Sequence, residues 1–190
     1  MSRFFWVRHG PTHAKTMVGW SDLPADLSDS AQLARLSGVL PAEALVISSD
    51  LVRASATADA IAAGRQRLPH DPDLREIHFG EWELAHFDEV EDQARLRAYW
   101  ETPGDIRPPG GESWHEVCAR VDRAVARLMA DHPGRDIIAV AHFGVILTQV
   151  QQALQIGAYA AFSHRIANLS LTELHHQDGS WNALRINHLP

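Results

Sequence analysis

The chain has 190 residues, 45% hydrophobic and 22% charged, which excludes wholesale disorder and gives one domain, 1–190, enough chain for a substantial core. Seventeen basic against twenty-four acidic residues leave a net charge of −7, so no global positive field draws in DNA or RNA, and a phosphate-bearing partner must be held by a few local cations. A single cysteine, Cys118, excludes an internal disulfide or multi-cysteine zinc site and fits a cytoplasmic protein, and no apolar run reaches the roughly 20 residues of a membrane span. Phe4-Phe5-Trp6-Val7 reads as a buried strand stopped at Gly10-Pro11; its apolar stretch is too short for a signal peptide, so the mature chain is expected to start at Met1. Ser28 opens a helical stretch (Leu33, Leu36, Leu40), 44–49 is a second buried strand, and Asp50-Leu51 starts an alanine-rich helix ending at Gly64. The pattern is mixed from 74 to 82 and returns to helical period from 87 to 100 (Phe87, Val90, Leu96, Tyr99, Trp100). Residues 102–111, with three prolines and three glycines, form a loop before a helix opened by Glu112-Ser113. A strand at 136–140 runs into His142 and a helix to about Gln155, and 167–174 and 181–186 are late strands with a turn beginning at His175-His176. This alternation predicts a three-layer α/β/α sandwich around a mostly parallel mixed sheet.

Three strand ends carry polar groups: Arg8-His9, Ser48-Ser49 with Arg53 beyond them, and His142. Ligands of open α/β sheets bind at the carboxyl ends of the strands, so these groups are expected to converge. Two guanidiniums and two imidazoles suit a tetrahedral dianion, with Gly10 admitting close backbone approach and the helix after Ser49 offering its amino end. No cysteine follows a strand and no Gly-x-x-x-x-Gly-Lys loop occurs, which leaves a neutral histidine, held through its other ring nitrogen, as nucleophile. His9 and His13 have i, i+4 spacing, but Pro11 argues against one helix presenting both, so no metal site is expected.

Arg8-His9-Gly10-Pro11-Thr12 resembles the Arg-His-Gly-x-Thr signature of the histidine phosphatase superfamily, in its phosphoglycerate mutase-like branch with the α-ribazole and broad-specificity phosphatases. Ser48 to Thr57, Leu74 to Glu83, Pro109 to Ser113 and Val140 to Ile146 resemble that family's further segments in order and spacing. The resemblance implies His9 as the phosphorylated nucleophile, Glu76 as proton donor and later base, and Arg8, Arg53 and His142 as the phosphate pocket, with no metal or cofactor. Glu81 and Glu83 lie close by, and Glu83 is the alternative acid. Thr12, Trp20, Trp82 and Phe143 are expected on the substrate side, while the other tryptophans pack the core.

The chain departs from the family pattern at Phe143 and Leu84, both commonly Gly, at Lys15, often Asn, and at Ala25-Asp26, apparent extra residues that imply a local loop change. The leading expectation is a phosphomonoesterase acting on a small phosphorylated metabolite. A phosphoglycerate mutase-type isomerase is the second expectation, disfavoured because such mutases carry additional covering segments whereas this chain ends at Pro190. The third is a phospho-ligand-binding module without turnover, against which the intact His9 and Glu76 stand.

Overall fold

The computed structural model describes residues 1–190. Five strands form one sheet: β1 (Ser2–Arg8), β2 (Leu45–Ser48), β3 (Asp136–Ala141), β4 (Leu171–Gln177) and β5 (Ser180–His188), in the order β2-β3-β1-β4-β5. The β2/β3 and β3/β1 pairs are parallel and the β1/β4 and β4/β5 pairs antiparallel, so β4 alone runs against the rest. The helices are α1 (Ser30–Val39), α2 (Val52–Ile61), α3 (Gln93–Glu101), α4 (Trp114–Asp131), α5 (Phe143–Leu154) and α6 (Ala158–Phe162), with 3₁₀ turns at Pro72–Leu74, Gly80–Trp82 and Phe87–Glu89. No helix is long and apolar enough to cross a membrane.

The unbroken apolar run of β1 is explained by burial of both its faces. Phe4 and Trp6 point into a core shared with α4 and α5, while Phe5 and Val7 point into a second core under α1 and α2. Ile137 and Ala139 divide from Ile138 and Val140 in the same way on β3, giving the three layers. Ala54 and Ala58 of α2 are fully buried against this sheet, where larger side chains would hold the helix off. Helix α4 starts at a capping box, Ser113 accepting from the Glu116 amide and Glu116 from the Ser113 amide.

Several boundaries differ from the sequence pattern for local reasons. Helix α1 begins at Ser30 because Asp29, not Ser28, caps it, accepting from the Gln32 amide. The stretch 87–100 divides into the Phe87–Glu89 turn, with its own His86/Glu89 capping box, and α3, capped by Asp92. Strand β4 starts only at Leu171, and His175 and His176 lie within it, opposite Asn182 and Trp181. The reversal is instead the two residues Asp178-Gly179, both with positive φ (52° and 79°), as a tight hairpin turn requires.

Candidate active site

The register of the central strands builds the site. Arg8 pairs with Ala141 across the parallel β1/β3 ladder, so the next residues, His9 and His142, emerge side by side with ring centroids 5.0 Å apart. The Gly10 carbonyl lies 2.6 Å from Nδ1 of His9 and can only accept, which assigns the proton to Nδ1 and leaves the lone pair on Nε2. Arg53 donates to that Nε2 from its Nε at 3.3 Å. Burial, then the charges of Arg53 and Arg8, lower the His9 pKa to about 3 against the opposing Gly10 hydrogen bond. His142 is fully buried, with Nε2 2.7 Å from Ser49 Oγ and Nδ1 without a protein partner, and burial with the neighbouring His9 and arginines lowers its pKa well below the usual value.

A proton-linked loss of stability follows. The folded pKa of His9 lies below its ordinary 6.5, so the unfolded chain protonates first; stability is full above pH 6.5 and declines as pH falls toward 3. At pH 5 His9 alone is expected to cost about 2 kcal/mol relative to neutral pH, with His142 acting in the same direction. Urea unfolding at pH 7 and pH 5 checks this, and an unchanged midpoint would contradict it.

The guanidiniums are fixed by backbone carbonyls. Arg53, 1% exposed, donates to Ser21 O at 2.9 Å and Gly19 O at 2.5 Å, and Arg8 donates to Ile166 O at 2.6 Å with its carbon 5.5 Å from the Phe143 ring centroid. Burial lowers both arginine pKa values while the Glu76 carboxylate opposes it. Glu76 accepts from the amides of Ile77 and Gly144, each 3.0 Å from Oε1. Burial nevertheless raises its pKa, outweighing those amides and the two arginines. Residue 144 has to be glycine, because a Cβ there would lie 2.5 Å from Glu76 Oε1.

Two residues brace these groups. Glu83 accepts from the amides of Gly19, Trp20, Ser21 and Phe79 and from the Ser21 hydroxyl, fixing the loop whose carbonyls hold Arg53. Burial works to raise its pKa, but those hydrogen bonds hold it below the usual carboxylate range, with both its oxygens engaged by the loop and by Phe79. Arg120, absent from the sequence reading, donates to the carbonyls of Asp73, Arg75 and Glu76 and pairs with Glu112. The only sequence signal for it was Glu112 eight residues earlier in the Pro-Gly-Gly-Glu-Ser segment.

Two supposed anion contacts are occupied within the protein. The Gly10 amide donates to Thr57 Oγ1 at 3.0 Å, and glycine is needed there because a Cβ would meet Leu27 at 2.6 Å, in the loop of the apparent extra residues. The amino end of α2 donates from Val52 N to Asp22 Oδ1.

A cavity of about 200 Å³ opens beside His9, with Arg8, Arg53 and Glu76 at its polar end. Thr12 and Phe143 line it, but Trp20 and Trp82 do not. The Gly80–Trp82 turn drives Trp82 into the core, edge-on to Tyr99, and the Trp20 indole donates to Glu76 O beneath the Arg75 guanidinium. The aromatic lining comes instead from Phe79, Phe87, Trp100 and Phe143, with Met17. Phe87 and Trp100 were missed because their spacing reads as a core-facing helix. Lys15 is exposed and outside the lining, and Leu84 holds φ 63°, which explains why a glycine suits that position.

A family model for the histidine phosphatase superfamily (branch 1) matches residues 4–189. The chain belongs to that superfamily. Members of the family are phosphatases or mutases. The adenosylcobalamin/alpha-ribazole phosphatase of Escherichia coli is 29% identical over 194 residues, covering 97% of this chain and 90% of that protein. Among solved structures, Bacillus stearothermophilus YhfR superposes with a TM-score of 0.91 at 26% identity over 100% of this chain and 98% of the other. Mycobacterial glucosyl-3-phosphoglycerate phosphatase Rv2419c follows at 0.84 and 29% identity, over 99% of both chains. The chain spans about half the length of the mycobacterial curated relatives that it matches at 31% identity, 98% of this chain against 54% of theirs.

Proposed function

We propose that the chain is a phosphomonoesterase that hydrolyses a small phosphorylated metabolite in the cytoplasm through a phosphohistidine on His9. The observation that carries this reading is the His9 ring: neutral, with Nδ1–H tied to the Gly10 carbonyl and Nε2 turned toward Arg53 in a cavity that Glu76 also lines. Nε2 attacks phosphorus, the P–O bond to the alcohol breaks, and protonated Glu76 gives its proton to the departing oxygen. Glu76, now a carboxylate, takes a proton from water as that water attacks the phosphohistidine, releasing phosphate and restoring both residues. Arg8, Arg53 and His142 hold the phosphoryl oxygens, where positioning and positive charge supply most of the rate gain.

The mutase relatives define the competing outcome. p-Nitrophenyl phosphate should release inorganic phosphate, and incubation with 3-phosphoglycerate should form no 2-phosphoglycerate; isomerisation as the main product would replace this reading by the mutase one. Tight phosphate binding with no turnover of either ester would instead favour the binding module.

The bracing by Glu83 adds a graded expectation. Glu83→Ala should lower kcat about 100-fold by loosening Arg53, and Glu83→Gln, which keeps one accepting oxygen, about 10-fold. Wild-type kcat in both variants would show that Arg53 is held without Glu83.

A further inference from the structure

The two histidines at the strand ends are held by different kinds of group. The Gly10 carbonyl can only accept, so His9 carries its proton on Nδ1 and a lone pair on Nε2. His142 is held by a hydroxyl, Ser49 Oγ, 2.7 Å from its Nε2, and a hydroxyl can either donate or accept. Which of the two Ser49 does is decided by its surroundings.

Ser49 and His142 are both 0% exposed, and His142 Nε2 is the one hydrogen-bond partner of the Ser49 hydroxyl. His142 Nδ1 has no protein partner. Burial, with His9 and the neighbouring arginines, keeps the ring neutral, so it has a single proton to place. With that proton on Nε2, Ser49 would accept it, and two buried groups would be left over: an O–H with nothing to donate to and an Nδ1 lone pair with nothing to accept. With the proton on Nδ1, Ser49 donates to Nε2, and the Nδ1–H alone remains. A buried polar group without a partner costs free energy, so the second arrangement prevails.

The sheet order sets the direction in which that N–H points. In β2-β3-β1, His142 follows the middle strand, Ser49 follows β2 and His9 follows β1. The two nitrogens of an imidazole face nearly opposite ways, so an Nε2 turned to Ser49 leaves Nδ1 on the side of His9, whose ring centroid is 5.0 Å away. We infer that Ser49 is a positioning residue, which by donating its hydroxyl proton to Nε2 holds His142 as an Nδ1–H donor to the phosphoryl group beside His9. This rests on the phosphate-holding role given to His142 in the phosphomonoesterase reading. It also separates the work of two adjacent imidazoles: His9 offers a lone pair and attacks, His142 offers a proton and binds.

A nitrogen NMR spectrum of the isotope-labelled chain, with the His142 ring assigned through its own couplings, should show Nδ1 protonated and Nε2 bare. A proton on Nε2 would overturn the inference whatever the catalytic outcome. Ser49→Ala removes one buried oxygen and no charge; it should free the ring to carry its proton on either nitrogen and weaken inorganic phosphate binding about 10-fold in calorimetry. Its kcat/KM for p-nitrophenyl phosphate should fall by a similar factor. In a His142→Ala background the same substitution should cost nothing further, because a residue that acts only through His142 has nothing left to hold. Equal losses in both backgrounds, or wild-type phosphate affinity in Ser49→Ala, would overturn the role of Ser49. The phosphomonoesterase reading fails separately: a wild type that binds phosphate through the Nδ1–H form and hydrolyses no ester would remove that reading and leave the hold of Ser49 on His142 standing.

Discussion

His9→Ala is expected to abolish turnover, lowering kcat by at least about 10⁴-fold, because no other group in the cavity can take over attack on phosphorus. Arg53 and Arg8 remain in place, since they are held by the carbonyls of Gly19, Ser21 and Ile166, so the variant should still bind inorganic phosphate. With a phosphorus-labelled ester, wild type quenched during a single turnover should carry label that survives base and is lost in acid, as a phosphoramidate is. The variant should carry none. Label retained on His9→Ala, or wild-type label stable to acid, would place the phosphoryl group elsewhere and remove His9 from the reaction.

Glu76→Gln is expected to have the second largest effect, and one that depends on the leaving group. The glutamine oxygen can still accept from Ile77 and Gly144, so the variant preserves the local geometry and loses only the transferable proton. An alkoxide needs that proton and p-nitrophenolate does not. The phosphorylation step, followed in single turnover, should fall about 10³-fold for an alkyl ester and no more than about 10-fold for p-nitrophenyl phosphate. Burial raises the Glu76 pKa, which keeps the acid protonated further toward neutrality; activity toward alkyl esters should decline as pH rises through that value, and the decline should vanish in Glu76→Gln. Equal losses for both esters would show that Glu76 positions phosphate without donating a proton.

The difference between what the sequence made legible and what it did not follows contact range. His9, Arg53 and His142 were legible because each follows or opens an element bounded by strong local signals, and the parallel register of β1 and β3 does the rest. The family resemblance pointed to Glu76, but only the fold shows what sets its proton affinity: burial first, opposed by the Ile77 amide, the charges of Arg53 and Arg8 and the amide of Gly144, far along the chain. Trp82, expected on the substrate side, lies outside the cavity lining for the opposite reason. Nearness in sequence to the motif says nothing of which way a 3₁₀ turn points its side chains, and Gly80–Trp82 points Trp82 inward. Gly10 shows the same limit: its glycine was legible, but its cause, the packing of Leu27 and Asp26 against it, required the fold.

The β1/β3 register also divides the molecule by the ease with which its parts open. His9 and His142 issue from adjacent strands at the centre of the sheet, with the His9 amide bonded to Ala141 O, so separating them means breaking the ladder itself. Phe87 and Trp100 stand on an excursion between Glu83 and Glu101 made of one short turn and one helix, much of it exposed. Amide protons of β1 and β3 are therefore expected to exchange with solvent far more slowly than those around Phe87, which hydrogen exchange would measure. The pair of histidines at the strand ends is thus tied to the sheet, whereas the exposed Phe87 turn is tied to the molecule through α3, whose Leu96 and Tyr99 enter the main core.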